Sequence, residues 1–172
     1  RVLPLVASVL IAAPAVAEKR GSGWTAPALA ASVSDELKAA IAEADALYDA
    51  RQTGDNQQKA FDKLVELAEK HPDSFDVNWR LARAAFWIAE GTADKAKRKA
   101  IAQRGWDAGK KATAGAEGPY FMALCIGEYS HSVGILTALT EGIEGKFRDP
   151  LLAVEKQNPA IDHGGLYNAL GR

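Results

Sequence analysis

From position 34 to the end of the chain, apolar side chains recur every three or four residues and in no window alternate with polar ones. A helix returns to the same face every 3.6 residues and a strand every two, so this spacing commits the chain to helices packed through their apolar stripes. Leu37, Ala40, Ile41, Ala44, Leu47 and Tyr48 mark a first helix, with Ser34 as its expected N-cap. Asp35 and Glu36 suit its positive end. A turn at Gln52-Thr53-Gly54-Asp55-Asn56 leads into a second stripe of Ala60, Leu64, Leu67 and Ala68, which stops at His71-Pro72 because proline cannot continue a helix.

Asp73 or Ser74 is the predicted cap of a third helix that is apolar on two sides. Trp79, Ala82, Phe86 and Ala89 form one face, and Leu81, Ala85 and Ile88 the other. Gly91-Thr92 ends it and is expected to cap a fourth helix, on which Ile101, Gly105, Gly109 and Ala112 line up. Each interior glycine costs about 1 kcal/mol relative to alanine, which implies close approach of another backbone. A fifth helix is predicted from Gly118-Pro119, again two-faced, with Tyr120 and Leu124 opposite Met122, Ile126, Tyr129 and Val133. After Gly134 the pattern resumes through Leu136, Leu139 and Ile143. A break at 145–149 is expected, then a short helix over 150–156, a stop at Asn158-Pro159, and a last helix after Gly164-Gly165.

The breaks repeat. Pro72 and Pro159 follow similar runs, LVELAEKHPDS and LLAVEKQNPA, and lie 87 residues apart with another helix end midway, near Gly115. A period of roughly 43 residues is the mark of stacked helical hairpins, an α-solenoid. Leu47, Ala60, Leu64, Pro72, Leu81, Ala82, Gly105, Gly109, Ala112 and Pro159 are the predicted repeat positions. The period exceeds that of a standard tetratricopeptide unit, and the extra residues are expected mainly between Glu90 and Lys99. The fold class is therefore all-α, a tetratricopeptide-like right-handed superhelix over 34–172, with the last repeat expected to be incomplete.

Residues 1–17, RVLPLVASVLIAAPAVA, combine a single positive charge, a short apolar run and a small-x-small ending. Those are the parts of a secretory signal, with cleavage expected after Ala17. The run is short for a bilayer span and holds Pro4 and Pro14; retention as an anchor is the alternative. Residues 18–33 look like an exposed leader, in which Trp24 is expected to dock on the domain. Periplasmic or secreted localisation follows.

Chemistry is sparse. Of 172 residues, 25% are charged, with a formal net charge of -1, which excludes a basic field for nucleic acid. Glu128 and His131 form a single Glu-x-x-His, whereas a di-iron bundle needs two copies and further carboxylates. Cys125 and His131 point about 120° apart on an ideal helix, a poor nucleophile–base pair. The lone Cys125 is expected to be a small core residue. Asp162-His163 is expected to be a helix entry. The lysines and arginines over 95–111 surround their helix and suit a solvated surface. No cofactor and no metal is expected. Trp79, Phe86, Tyr120, Leu124, Glu128 and His131 are the candidate groove residues, with core packing the alternative for the aromatic ones.

Glu66-Leu67-Ala68-Glu69-Lys70-His71-Pro72-Asp73-Ser74, Asn78-Trp79-Arg80-Leu81-Ala82-Arg83-Ala84, the stretch from Gly105 to Ala112 and the ending Asn168-Ala169-Leu170-Gly171-Arg172 together resemble the tetratricopeptide-like family that contains the TRAP transporter T-component. The regulators of microtubule dynamics share that style of repeat. The resemblance implies a periplasmic, all-helical, non-enzymatic protein that serves beside a solute-binding partner and presents an apolar groove. The sequence lacks the lipid-acceptor cysteine that many T-components carry. The functional expectation is a binding protein holding a protein partner or a hydrophobic small molecule in a concave groove, with self-association allowed. The alternative is a generic envelope scaffold for protein–protein interaction without a small ligand.

Overall fold

The computed structural model describes residues 35–171. The predicted signal, the leader with Trp24, the Ser34 cap and Arg172 lie outside the described residues. Within them the chain forms α1 (Asp35–Asp49), α2 (Asn56–Lys70), α3 (Phe75–Glu90), α4 (Lys95–Lys111), α5 (Glu117–Val133), α6 (Ile135–Thr140), α7 (Ile143–Gln157), a 3₁₀ turn (Ile161–Gly164) and α8 (Gly165–Leu170). No strand occurs among the described residues. Helices adjacent in sequence pack as antiparallel hairpins, and α3 and α5 each contact helices of neighbouring hairpins. The architecture is a solenoid-like stack.

The hairpins are bounded by one recurring device. At the ends of α2, α4 and α7, the residues His71, Ala112 and Asn158 leave the helix with φ of -132°, -96° and -148° and ψ between 62° and 79°. His71 and Asn158 precede prolines, whose rings disfavour the helical region for the residue before them. Each still returns its N–H to the last turn, His71 to Leu67 and Asn158 to Val154, both at 2.8 Å. Asn78, 1% exposed, then fastens the first of these corners, its Nδ2 donating to the carbonyls of Pro72 and Ser74 at 2.8 Å each.

Ser74 is the cap of α3, accepting from the Val77 N–H at 3.4 Å. Asp94, and not Thr92, caps α4, accepting from Lys97 at 2.7 Å. The Thr92 hydroxyl instead donates back to the Ile88 carbonyl at 2.6 Å, so it closes the helix before it. Two further expectations are corrected. The break at 145–149 does not exist: α7 runs unbroken through it with Pro150 inside. The chain bends earlier, at Gly142, whose φ of +62° is the left-handed region. Nor do the extra residues of the repeat lie between Glu90 and Lys99, where the α3–α4 connection is short. Between α5 and α7 the third hairpin gains an additional helix, α6.

The two-sided helices are central, as their patterning requires. Leu81, Ala82, Ala85 and Ala89 of α3, and Tyr120, Phe121, Cys125 and Ile126 of α5, are buried. Ala60, Leu64 and Ala112 are buried with them, Leu47 is half-buried, and Pro72 and Pro159 stand exposed as helix stops. The glycines of α4 mark where neighbouring helices pack most closely. A Cβ on Gly109 would lie 2.5 Å from Met122 Cβ and 2.9 Å from its Cα. One on Gly105 would overlap Ala85 and Cys125, and one on Gly118 would overlap the Ala112 carbonyl. The Cys125 thiol, fully buried, donates to the Ala82 carbonyl at 3.3 Å.

Alanine at Gly109 is therefore expected to destabilise the protein by about 1–3 kcal/mol despite its better helix propensity, because Met122 must shift. Alanine at Gly91, where an added Cβ meets nothing closer than 3.7 Å, is the matched control. Urea denaturation of both variants measures the difference, and equal midpoints would refute the close-contact account.

Candidate functional site

The helices α1, α3 and α5 present one connected array of guanidinium groups and aromatic rings. Arg83 lies between two rings, its Cζ 3.7 Å from the Tyr48 centroid and 4.8 Å from that of Trp79. Arg80 covers Trp79 at 4.3 Å, and Arg51 covers Tyr48 at 4.5 Å and Trp87 at 5.7 Å. Trp79 stacks on Phe121 with centroids 6.4 Å apart, and Phe121 meets Tyr120 edge-on at 5.0 Å. A cation over an aromatic face is attracted by the ring quadrupole, more strongly as water is excluded.

Asp45 of α1 holds the two central arginines. Its carboxylate accepts from Arg80 Nε at 2.9 and 3.0 Å and from Arg83 Nη2 at 2.9 Å. Arg80 also donates to the Asp76 carbonyl and carboxylate, at 2.9 and 3.0 Å. One donor is left over. Arg83 Nε is buried without an acceptor, the one such side-chain nitrogen or oxygen among the described residues. Burial pulls the Arg83 guanidinium down from its ordinary pKa, opposed by Tyr48 and Asp45.

The far side of the array is closed by the C-terminal segment. The Tyr120 phenol donates to Asp162 at 2.8 Å, and Ile161 and Leu166 bury beside it. Asp162 and His163 take φ of 50° and 52°, a left-handed conformation uncommon outside glycine. Gly165 fits because its missing Cβ would collide with the Tyr120 oxygen. Asp162-His163 is thus a strained clasp on α5.

The six predicted groove residues do not line one groove. Trp79 belongs to the arginine–aromatic array, half-buried and packed against the core. Phe86 packs edge-on against Trp87 at 5.2 Å. Tyr120 is 1% exposed beneath the C-terminal clasp, and Leu124 is half-buried in the core. Glu128 is a buried carboxylate with Arg98 and His131 each at 3.8 Å. His131 alone borders a cleft, of about 300 Å³ between α5, α6 and α7, with an apolar lining that includes Ala138, Ile143 and Phe147. The reason is geometric: residues on one face of α5 meet different neighbours at each turn, because α3, α6, α7 and the C-terminal segment cross it at different heights.

Tyr48, Arg51, Arg80 and Arg83 were not among the predicted site residues. The signal was present as Trp79 and Arg83, four apart and so on one face of α3, but the partner ring comes from α1. Among the described residues no group of three potential metal ligands is gathered, and no helix is long and apolar enough to cross a membrane.

The family model described as regulator of microtubule dynamics protein 1-3 matches residues 40–146, and the chain belongs to that family. The match takes in the whole arginine–aromatic array and stops short of Asp162. No curated protein and no solved structure matches the chain.

Burial and the hydrogen bond to Asp162 hold the Tyr120 phenol above its ordinary pKa of 10.0, and burial holds the Cys125 thiol above its ordinary 9.0. In the unfolded chain both groups ionise at their ordinary values while the folded chain keeps its protons. The unfolded state therefore gains relative to the folded one as pH rises through that window. Cys125 and Tyr120 are expected to lower stability progressively as pH rises above 9, and Tyr120→Phe is expected to reduce the decline above pH 10, to which Tyr48 and Tyr129, also held above 10.0, contribute. That variant should also lose about 1 kcal/mol at neutral pH with the Asp162 bond. Urea midpoints from pH 7 to pH 11 check both.

Proposed function

We propose that this chain is a non-enzymatic helical-repeat binding protein whose arginine–aromatic face holds a protein partner. The observation that carries this reading is Trp79, half-buried and flanked by Arg80 and Arg83. Tryptophan, tyrosine and arginine dominate the energetics of protein interfaces, because they bury large area while keeping a directed polar or cationic group. A stack of hairpins displays such residues on a rigid surface.

The finer form of the proposal is service beside a TRAP-type transporter, in the manner of a T-component, with a periplasmic solute-binding protein as partner. Its support is the resemblance carried by the Glu66–Ser74 and Asn78–Ala84 motifs and by the Asn168–Arg172 ending, together with the secretion-like character of residues 1–17. A second reading rests on the apolar cleft at α5, α6 and α7: a hydrophobic small molecule carried by the same protein. A generic envelope scaffold without a small ligand remains the alternative to both.

Calorimetric titration of the purified protein with a cognate TRAP-type periplasmic solute-binding protein tests the transporter form. A micromolar complex is expected, weakened about thirtyfold or more by Trp79→Ala or Arg80→Ala, the size of a typical hot-spot loss. Absence of any complex at micromolar concentration overturns it. Native mass spectrometry of gently purified protein checks the second reading, for which a reproducible lipid-like adduct is expected.

A further inference from the structure

The C-terminal clasp is held to the binding face by few ties and under backbone strain. Asp162 and His163, at φ of 50° and 52°, are the non-glycine residues with positive φ among the described residues. That conformation crowds the Cβ against the following carbonyl. Glycine takes the other left-handed positions of the segment, Gly164 at +90° and Gly171 at +71°. Among the described residues one hydrogen bond ties 161–170 to the helices before α7, the Tyr120 phenol donating to Asp162 at 2.8 Å. Otherwise the hold is apolar: Ile161 and Leu166 are buried, and Ala169 and Leu170 pack against the same cluster. No side chain over 157–160 is buried, so the link from α7 to the clasp is not fixed in the core.

The clasp sits where the row of rings on the binding face ends. Trp79 stacks on Phe121, and Phe121 meets Tyr120. At Tyr120 the row is covered: its oxygen meets Asp162, and a Cβ on Gly165 would lie 2.6 Å from it. The Tyr48 phenol, raised above its ordinary pKa chiefly by burial, also feels the Asp162 charge. Asp162 is therefore close to rings at both ends of the face, Tyr48 on α1 and Tyr120 on α5.

We propose that residues 161–170 are an autoinhibitory cover, which occupies the Tyr120 end of the arginine–aromatic face and turns out about Asn158-Pro159 when a partner binds. The inference rests on the partner-binding reading of that face and adds its regulation. Strained residues persist only where surrounding contacts impose them, and they concentrate at clamps and switches, where the strain lowers the cost of leaving. A permanent cover would gain from glycine at 162 and 163, as the chain has at 164 and 171. The cover also sets the chemistry of what displaces it. A partner segment must bring a carboxylate to the Tyr120 phenol, as Asp162 does, and an aliphatic side chain beside it in place of Ile161 or Leu166.

Thiol labelling of the full chain carrying Leu166→Cys reads the opening, while Cys125, fully buried between the helices, reads global unfolding in the same sample. Position 166 is expected to label about tenfold faster than Cys125 or more, as a locally opening segment does. Asp162→Ala in that background removes the acceptor from Tyr120 and is expected to speed labelling at 166 about fivefold, with Cys125 unchanged. Asp162→Asn keeps an acceptor and tolerates positive φ, so it is expected to restore the slower rate. Amide exchange of Ala169 and Leu170 against α5 in the unsubstituted chain makes the same comparison without the added cysteine. Equal rates for the clasp and the core by both probes overturn the proposal, because the segment then opens only with the whole fold. Asp162→Ala is also expected to tighten the complex with the solute-binding protein about fivefold. A complex whose affinity is unchanged by that substitution overturns the cover and leaves the partner-binding reading standing.

Discussion

The packing of α4 against α5 is the contact on which the rest depends. Gly105, Gly109 and Gly118 bring the two helices close enough for backbone to meet side-chain stem, with Ala85 of α3 in the same contact. Small residues at a crossing gain dispersion contacts along the whole interface, and those contacts offset the propensity lost at each glycine. With α4 held this close, α3 and α5 become neighbours and their two-sided stripes both find partners. Widening that seam would separate Cys125 from the Ala82 carbonyl and lift Phe121 from Trp79.

The arginine–aromatic face is a consequence of that stacking combined with the corners between hairpins. His71-Pro72 ends α2 by steric exclusion, Asn78 fastens the corner from within the next helix, and α3 therefore starts in a fixed register. That register aims Arg80 and Arg83 at Asp45 and Tyr48 of α1. Two arginines on one carboxylate, each also lying on a ring, form an array in which every group orients the next. The C-terminal segment completes it from the other side, through the Tyr120–Asp162 bond and at the cost of two left-handed residues.

Most of the helical architecture is legible in the periodicity and the helix breakers. The α2 and α7 stops are local properties of a residue before proline, and the two-sided stripes of α3 and α5 announce their central positions. The errors also have local causes. Gly145 and Pro150 suggest a break inside α7, but packing of Ile143, Leu151 and Val154 carries the helix through both. Thr92 has the residue type of a cap, yet its hydroxyl finds a nearer acceptor in the preceding turn. The predicted groove residues share a helical face, and a shared face on one helix says nothing of which neighbour crosses at each level.

By itself, then, the sequence determined that the chain is all helix, roughly where each helix stops, which helices are sandwiched and that glycines mark a close crossing. Those properties depend on interactions within about a turn of each residue, or on side-chain size alone. Only the tertiary structure decided that Arg83 lies between Tyr48 and Trp79, that Tyr120 is covered by Asp162, and that α6 stands out with its apolar side uncovered. Each of those is a meeting of segments some 35 to 42 residues apart, or the absence of one, and no local pattern encodes which distant segment arrives.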